Sequence, residues 1–398
     1  MDKLFIADEK DIRDGYTMDV YFDRTKQILK AKGLDGTKVR AEFTSSSLPR
    51  GWEWAVFCGL EEVMRLSEGN DVSVYAIPEG TIFRARTPAS VRVPVMNFEG
   101  NYVDFGVMET AILGMICQPT GVATKASRVK MAAQGKPVIA FGNRRMHPGI
   151  AGVLDRSAYI GGCDDVSSGI GGDIIGKEPL GTVPHALTLM MGSNDAAFRA
   201  FDEVIDPKVP RIMLIDTFSD ERSAAIEACR SVKNLVGVRL DTPGSRRGNF
   251  KELIDEVRWE MDMNGFKHVK IIVSGGLDED TVAKLADTCV SSFGVGTSIS
   301  NAPTLDFSMD LVEKDGEPIS KRGKFAGRKY PYRCPHCYTM GVSLAPDDEI
   351  RCECGHAMEM IERPVLKDGK RITPEVKPKD VREYVLRQLE HMKQNGLL

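Results

Sequence analysis

Pro137-Val138-Ile139-Ala140-Phe141 is the first of five short apolar runs that recur down the middle of the chain. Arg211-Ile212-Met213-Leu214-Ile215, Leu235-Val236-Gly237-Val238-Arg239, Val269-Lys270-Ile271-Ile272-Val273 and Ser291-Ser292-Phe293-Gly294-Val295 follow it, with amphipathic helical stretches between. Strands that alternate with helices form βαβ units, and such units build a parallel sheet. The sheet could close as a barrel or stay open and doubly wound. Polar or glycine-rich chemistry follows one run after another, which is how a barrel assembles a site from many strand ends, so a β/α barrel is the expectation.

The strand ends carry that chemistry in order. Phe141 leads into Gly142-Asn143-Arg144-Arg145, the second run into Asp216-Thr217, and the third closes with Arg239-Leu240-Asp241-Thr242. The fourth ends in Ser274-Gly275-Gly276 and the fifth in Gly294-Val295-Gly296-Thr297. Glycine turns let backbone N–H groups approach a phosphate without hindrance from Cβ, so Gly275, Gly276, Gly294 and Gly296 are candidate phosphate positions. Arg144 and Arg145 suit a planar carboxylate, which a guanidinium grips through two parallel hydrogen bonds. Asp216 and Asp241 could hold ribose hydroxyls or Mg²⁺, or each could cap a helix.

Outside this region the pattern changes. Residues 38–43, 72–76 and 90–95 alternate apolar with polar side chains and read as a small antiparallel domain, assigned to residues 1–115. Helical spacing then follows, with Met108, Ala111, Ile112 and Met115 on one face and a second helix from Lys125 to Ala133. The barrel is expected over residues 116–325 and a C-terminal module over 326–398, closed by a helix with Val381, Val385, Leu389 and Met392 on one face. In that module Cys334-Pro-His-Cys337 and Cys352-Glu-Cys354 have the spacing of a four-thiolate zinc site, which is closed to water and therefore structural. His336 and His356 could replace a cysteine. Cys58, Cys117, Cys163, Cys229 and Cys289 are scattered singly, as small hydrophobes are.

Composition excludes several classes. Lys and Arg number 53 against 57 Asp and Glu, a net charge of −4 that offers no field for a nucleic-acid backbone. Met1 to Phe22 lacks the basic and apolar blocks of a signal peptide, and no segment approaches the roughly 20 apolar residues needed to span a bilayer. A soluble, cytoplasmic protein with neither nucleic-acid nor membrane partners is the expectation.

The residues also carry a family likeness. Thr124-Lys125-Ala126-Ser127-Arg128, Phe141-Gly142-Asn143-Arg144-Arg145, Gly181-Thr182-Val183-Pro184-His185, Asp216-Thr217, Arg239-Leu240-Asp241 and Ser274-Gly275-Gly276-Leu277-Asp278 resemble nicotinate phosphoribosyltransferase, as does Ile77-Pro78-Glu79-Gly80. The resemblance runs from about Tyr16 to Ser298 and leaves out the cysteine module. It implies an α/β fold in which a strand-rich N-terminal domain joins an irregular, TIM-like β/α barrel of the type II phosphoribosyltransferase kind. It also implies transfer of phosphoribosyl from phosphoribosyl pyrophosphate to nicotinate, coupled to ATP hydrolysis through a phosphorylated histidine. By motif that histidine is His185, beside Thr182, with His147 as a rival. Phe141 and a neighbouring subunit's Tyr16 or Tyr21 would stack on the pyridine ring, so a homo-oligomer, from a dimer up to a hexamer, is implied. Ser274, Thr297, Arg239 and Asp241 would meet ribose and phosphate. Two alternatives remain: a quinolinate phosphoribosyltransferase, or a zinc-ribbon interaction protein whose barrel is inactive.

Overall fold

A computed structural model describes residues 4–49 and 51–397. Met1 to Lys3, at the head of the stretch expected to lack a signal peptide, lie outside the described residues. Two compact units make up the chain, residues 1–124 with 303–398, and residues 125–302. The first is discontinuous in sequence. Its seven-stranded sheet places strands in the order 317–318, 307–314, 38–45, 94–101, 72–76, 363–367 and 370–371. Its neighbours pair antiparallel, as with Val39 opposite Lys314 and Phe43 opposite Met309.

This corrects the division expected from sequence. Residues 303–325 belong to the first unit and not to the barrel, strands 307–314 and 317–318 lie in its sheet, and the strands of 363–371 join that same sheet. The third N-terminal strand covers Pro94–Asn101, later than the expected 90–95. Strand pairing is set by partners far along the chain, which local alternation does not reveal. One face of the sheet buries Phe43, Phe98, Met96 and Phe307 with Phe105, Ile112 and Ile116.

The two helices expected around residue 120 are one, Glu109–Ala132, with Pro119 inside it. Proline removes a helical N–H and frees the carbonyl four residues before it, here that of Met115. Gly59, at φ +103°, lies so close to that carbonyl that a Cβ would come within 1.8 Å of its oxygen. Thr120 and Thr124 accept hydrogen bonds from the N–H groups of Cys58 (3.1 Å) and Val56 (2.9 Å). The helix therefore keeps its course through a residue that ordinarily ends one.

The second unit holds six parallel strands: β1 (Val138–Ala140), β2 (Asp165–Val166), β3 (Arg211–Leu214), β4 (Leu235–Leu240), β5 (Lys270–Val273) and β6 (Ser292–Val295). Their order is β2-β1-β6-β5-β4-β3. That is the chain order of a barrel, cut between β2 and β3, where no pairing occurs among the described residues. A half-barrel thus replaces the closed barrel. The 44 residues from 167 to 210 that bridge the gap form the helices Gly169–Ile175, His185–Met191 and Asn194–Val204 instead of strands. No helix among the described residues is long and apolar enough to cross a membrane.

Candidate active site and metal centre

The strand ends of the half-barrel surround a cleft of about 940 Å³ within the second unit. Phe141, after β1, packs its ring on Gly294 of β6, where a Cβ would come within 2.4 Å of the ring. The next turn, Asn143–Arg145, presents Arg144 and Arg145 to the cleft, and both are exposed. At the end of β4, the Arg239 Nη1 donates to Ser274 Oγ at 3.1 Å, and Ser274 Oγ donates to Asp241 Oδ1 at 3.0 Å. Burial pulls the Arg239 guanidinium below its ordinary range, against the upward pull of Asp241 and Asp216.

Gly275 and Gly276 have φ of +85° and +64°, left-handed values that other residues adopt at a cost. Arg247 braces this turn from behind, donating to the carbonyls of Gly275 (2.6 Å) and Thr242 (2.9 Å). Gly294, Gly296 and Thr297 also line the cleft, and Thr182 and His185 line it from the segment that bridges the half-barrel's gap. Of the expected site residues, Phe141, Arg144, Arg145, Thr182, His185, Arg239, Asp241, Ser274, Gly275, Gly276, Gly294, Gly296 and Thr297 all line the one cleft.

Asp216 does not line it. Its side chain is 2% exposed and sits 3.6 Å from His185 Nε2, while Thr217 Oγ1 lies 3.0 Å from His185 Nδ1. Burial raises the Asp216 carboxyl, and the charge of His185 opposes the rise. This geometry favours a partner of the histidine over a ligand of ribose or Mg²⁺. His147 is absent from the lining, and its Nδ1 accepts the Gly149 N–H at 3.1 Å. Tyr16 and Tyr21 belong to the first unit and are 86% and 56% exposed.

Sequence reasoning assigned no role to Lys125, Asn143, Ser167, Ser168, Asp278 and Ser298, which also line the cleft. Lys125 pairs with Glu279, and its motif was the available signal. Ser167 and Ser168 follow β2, which at two residues is too short to show any periodicity.

The cysteine module lies in the first unit. Sγ atoms of Cys334, Cys337, Cys352 and Cys354 all fall within 4.8 Å of one another. Cys334 to Cys354 and Cys337 to Cys352 measure 3.4 Å. That is far beyond a disulfide's length of about 2.05 Å. It is near the edge of about 3.8 Å expected for a tetrahedron with zinc–sulfur bonds of about 2.3 Å. The four thiols fit a four-coordinate metal. His336 and His356 stack beside them with ring centroids 4.4 Å apart, and the backbone N–H and ring of His356 bring the Cys354 thiol down to about 5.

Comparison with known proteins places these observations in a family. The family model described as quinolinate phosphoribosyl transferase, C-terminal domain, matches residues 122–310, and its N-terminal counterpart matches residues 19–120. The chain is 47% identical to the nicotinate-nucleotide pyrophosphorylase of Pyrococcus furiosus, with a TM-score of 0.92 and full coverage of both chains. It is 32% identical to a nicotinate phosphoribosyltransferase of Mycobacterium tuberculosis over 60% of this chain and 55% of that protein, so it spans about half the length of that relative. The human nicotinic acid phosphoribosyltransferase, 19% identical with a TM-score of 0.73, covering 94% of this chain and 93% of its own, shares the fold.

Proposed function

Because the chain belongs to the phosphoribosyl transferase family whose N- and C-terminal domains match residues 19–120 and 122–310, we propose that it transfers phosphoribosyl from phosphoribosyl pyrophosphate to nicotinate, yielding nicotinate mononucleotide and pyrophosphate for NAD salvage, as its likeness to the nicotinate phosphoribosyltransferases supports. One observation carries the reading: a single cleft gathers the exposed Arg144 and Arg145 after β1, the left-handed Gly275–Gly276 turn after β5, and Arg239, Ser274 and Asp241 joined by hydrogen bonds. Cleavage of the bond from ribose to pyrophosphate develops oxocarbenium character on the sugar. An enzyme for it must hold a carboxylate and a 5′-phosphate on either side of that cation. Arg144 and Arg145 would take the carboxylate, with the pyridine ring against Phe141. The N–H groups of Gly275–Gly276 and Gly296–Thr297 would take phosphate, and Asp241 would face the developing positive charge.

ATP coupling belongs to the same proposal. A proton on His185 Nε2, turned toward Asp216, leaves Nδ1 as the nucleophile, accepting from the Thr217 hydroxyl until a phosphoryl group arrives. The residues fit Mg²⁺ carried with phosphate oxygens, since Asp241 offers a carboxylate to the cleft. Bound Mg²⁺ would neutralise the charge of the pyrophosphate. Zinc at the four cysteines would be structural. An oligomer of at least two subunits, each lending Tyr16 or Tyr21 to its neighbour, is part of this reading.

Product analysis tests it. With phosphoribosyl pyrophosphate, nicotinate should be converted and nicotinamide should not, because the amide offers the arginine pair no charged oxygens for a bidentate grip. Conversion of quinolinate with loss of carbon dioxide would favour the decarboxylating relative instead. Labelled ATP should leave acid-labile label on the wild type and none on His185→Ala, which keeps slow, ATP-independent transfer. Normal labelling of His185→Ala would overturn the coupling.

A further inference from the structure

Asp155 lies on the helix Ala151–Ile160, is 2% exposed, and has no Lys or Arg partner among the described residues. A buried carboxylate without a cation is costly unless donors surround it. Its donors come from the cleft wall: Asp155 Oδ2 accepts from Asn143 Nδ2 at 2.8 Å, from Ser168 Oγ at 2.5 Å and from Ser168 N at 3.3 Å. Asn143 opens the turn that presents Arg144 and Arg145, and Ser168 ends the turn after β2. Ser168 Oγ in turn accepts from Gly171 N at 3.1 Å, so it caps the helix Gly169–Ile175. The space for the carboxylate is made by Gly171, where a Cβ would come within 2.2 Å of Asp155 Oδ2.

We propose that Asp155 is a positioning residue that ties the arginine turn to the serine turn and thereby sets the affinity of the cleft for the carboxylate-bearing ring substrate. The inference rests on the nicotinate reading for the identity of that substrate. Hydrogen bonds to an ionised acceptor are the stronger kind, and three of them on one oxygen fix both turns at once. Supporting groups of this sort hold a binding geometry that the contacting residues cannot hold alone. Gly171→Ala should act like a change at Asp155, since the added methyl displaces the carboxylate without removing it.

The test compares Asp155→Ala, Asp155→Asn and Gly171→Ala in the full chain. In Asp155→Ala the KM for nicotinate should rise about 10- to 100-fold, the loss expected when hydrogen bonds to a charged group, about 1.5–3 kcal/mol, no longer hold the turn. The KM for phosphoribosyl pyrophosphate and kcat should stay within about threefold, because the Gly275–Gly276 turn and the Arg239–Ser274–Asp241 group share no hydrogen bond with Asp155. Asp155→Asn should recover most of the affinity, as its amide oxygen can still accept, and Gly171→Ala should resemble Asp155→Ala. Amide exchange should quicken in residues 142–149 and 166–169 and hold elsewhere in the unit. A KM for nicotinate within about twofold of wild type, or a loss that scales every parameter with the folded fraction, overturns the proposal. Should the wild type fail to convert nicotinate, the substrate reading falls, and unchanged exchange in those two segments would then sink the positioning role separately.

Discussion

At Glu109 a single side chain makes the stability of the first unit depend on pH. Burial, seconded by the charges of Asp310 and Asp19 and opposed by Lys321, raises its carboxyl to about 7. A carboxylate whose folded value lies above its unfolded value, about 4.3, binds more protons when folded at intermediate pH. Stability is therefore highest below the unfolded value, falls as pH climbs through the window up to about 7, and stays at its reduced level above it. Glu109→Gln should raise the melting temperature at pH 8 and lose that advantage near pH 4. A melt showing equal gains at both values would assign the effect to packing. Among the cleft residues, Arg144, Arg145 and the glycine pair are legible from sequence because their chemistry is local to one turn. Asp155 and Asp216 act through partners 12 to 13 and about 31 positions away, as with Asn143, Ser168 and His185, and no spacing rule connects them.

Elements explain why the histidine sits where it does. His185 opens a helix in the segment that bridges the cut between β2 and β3, so it faces the cleft from the one side that no strand closes. The strand ends supply fixed wall, and the bridging helices supply the group that would change its covalent state. The cysteine module is an element of another kind. Its strands 330–333, 340–343 and 359–360 form a three-stranded sheet of their own, too small to bury much apolar surface. Four thiolates on one metal would supply the missing stability. Purified protein should contain about one zinc per chain. Chelation should quicken amide exchange across residues 331–363 before it lowers turnover. Elemental analysis that finds no metal would refute the assignment.

Across the whole molecule, the first unit depends on the last residues of the chain. Gln388, 3% exposed on the terminal helix Pro378–Gln394, donates to Gly80 O at 2.8 Å and accepts from Ile82 N at 3.0 Å and Arg333 Nη1 at 2.6 Å. Val381, Val385, Leu389 and Met392 are buried along the same face. At about 1.5–3 kcal/mol for each such side chain, their burial is worth about 6–12 kcal/mol. That is comparable with the whole stability of a domain, about 5–15 kcal/mol. A chain ending at residue 373 should therefore lose the native fold of the first unit. Trp52 and Trp54 lie in that unit and Trp259 in the other, so in a Trp259→Phe background tryptophan emission reports the first unit alone. Native emission and a melting temperature within a few degrees of the full chain would contradict the ledger.

Five of the six strands of the half-barrel, the chemistry at their ends, the paired cysteines and the apolar face of the last helix were determined by the sequence alone. Each is written within a few neighbouring residues, where strand and helix periods, glycine turns and ligand spacing operate. Tertiary structure decided the rest. It carried residues 307–318 and 363–371 back to the first sheet, opened the barrel between β2 and β3, and joined two helices through Pro119. It also set Asp216 beneath His185 and Asp155 behind the arginine turn. These outcomes depend on which surfaces meet after the chain has folded back on itself, and pairing between distant segments leaves no periodic trace in either segment.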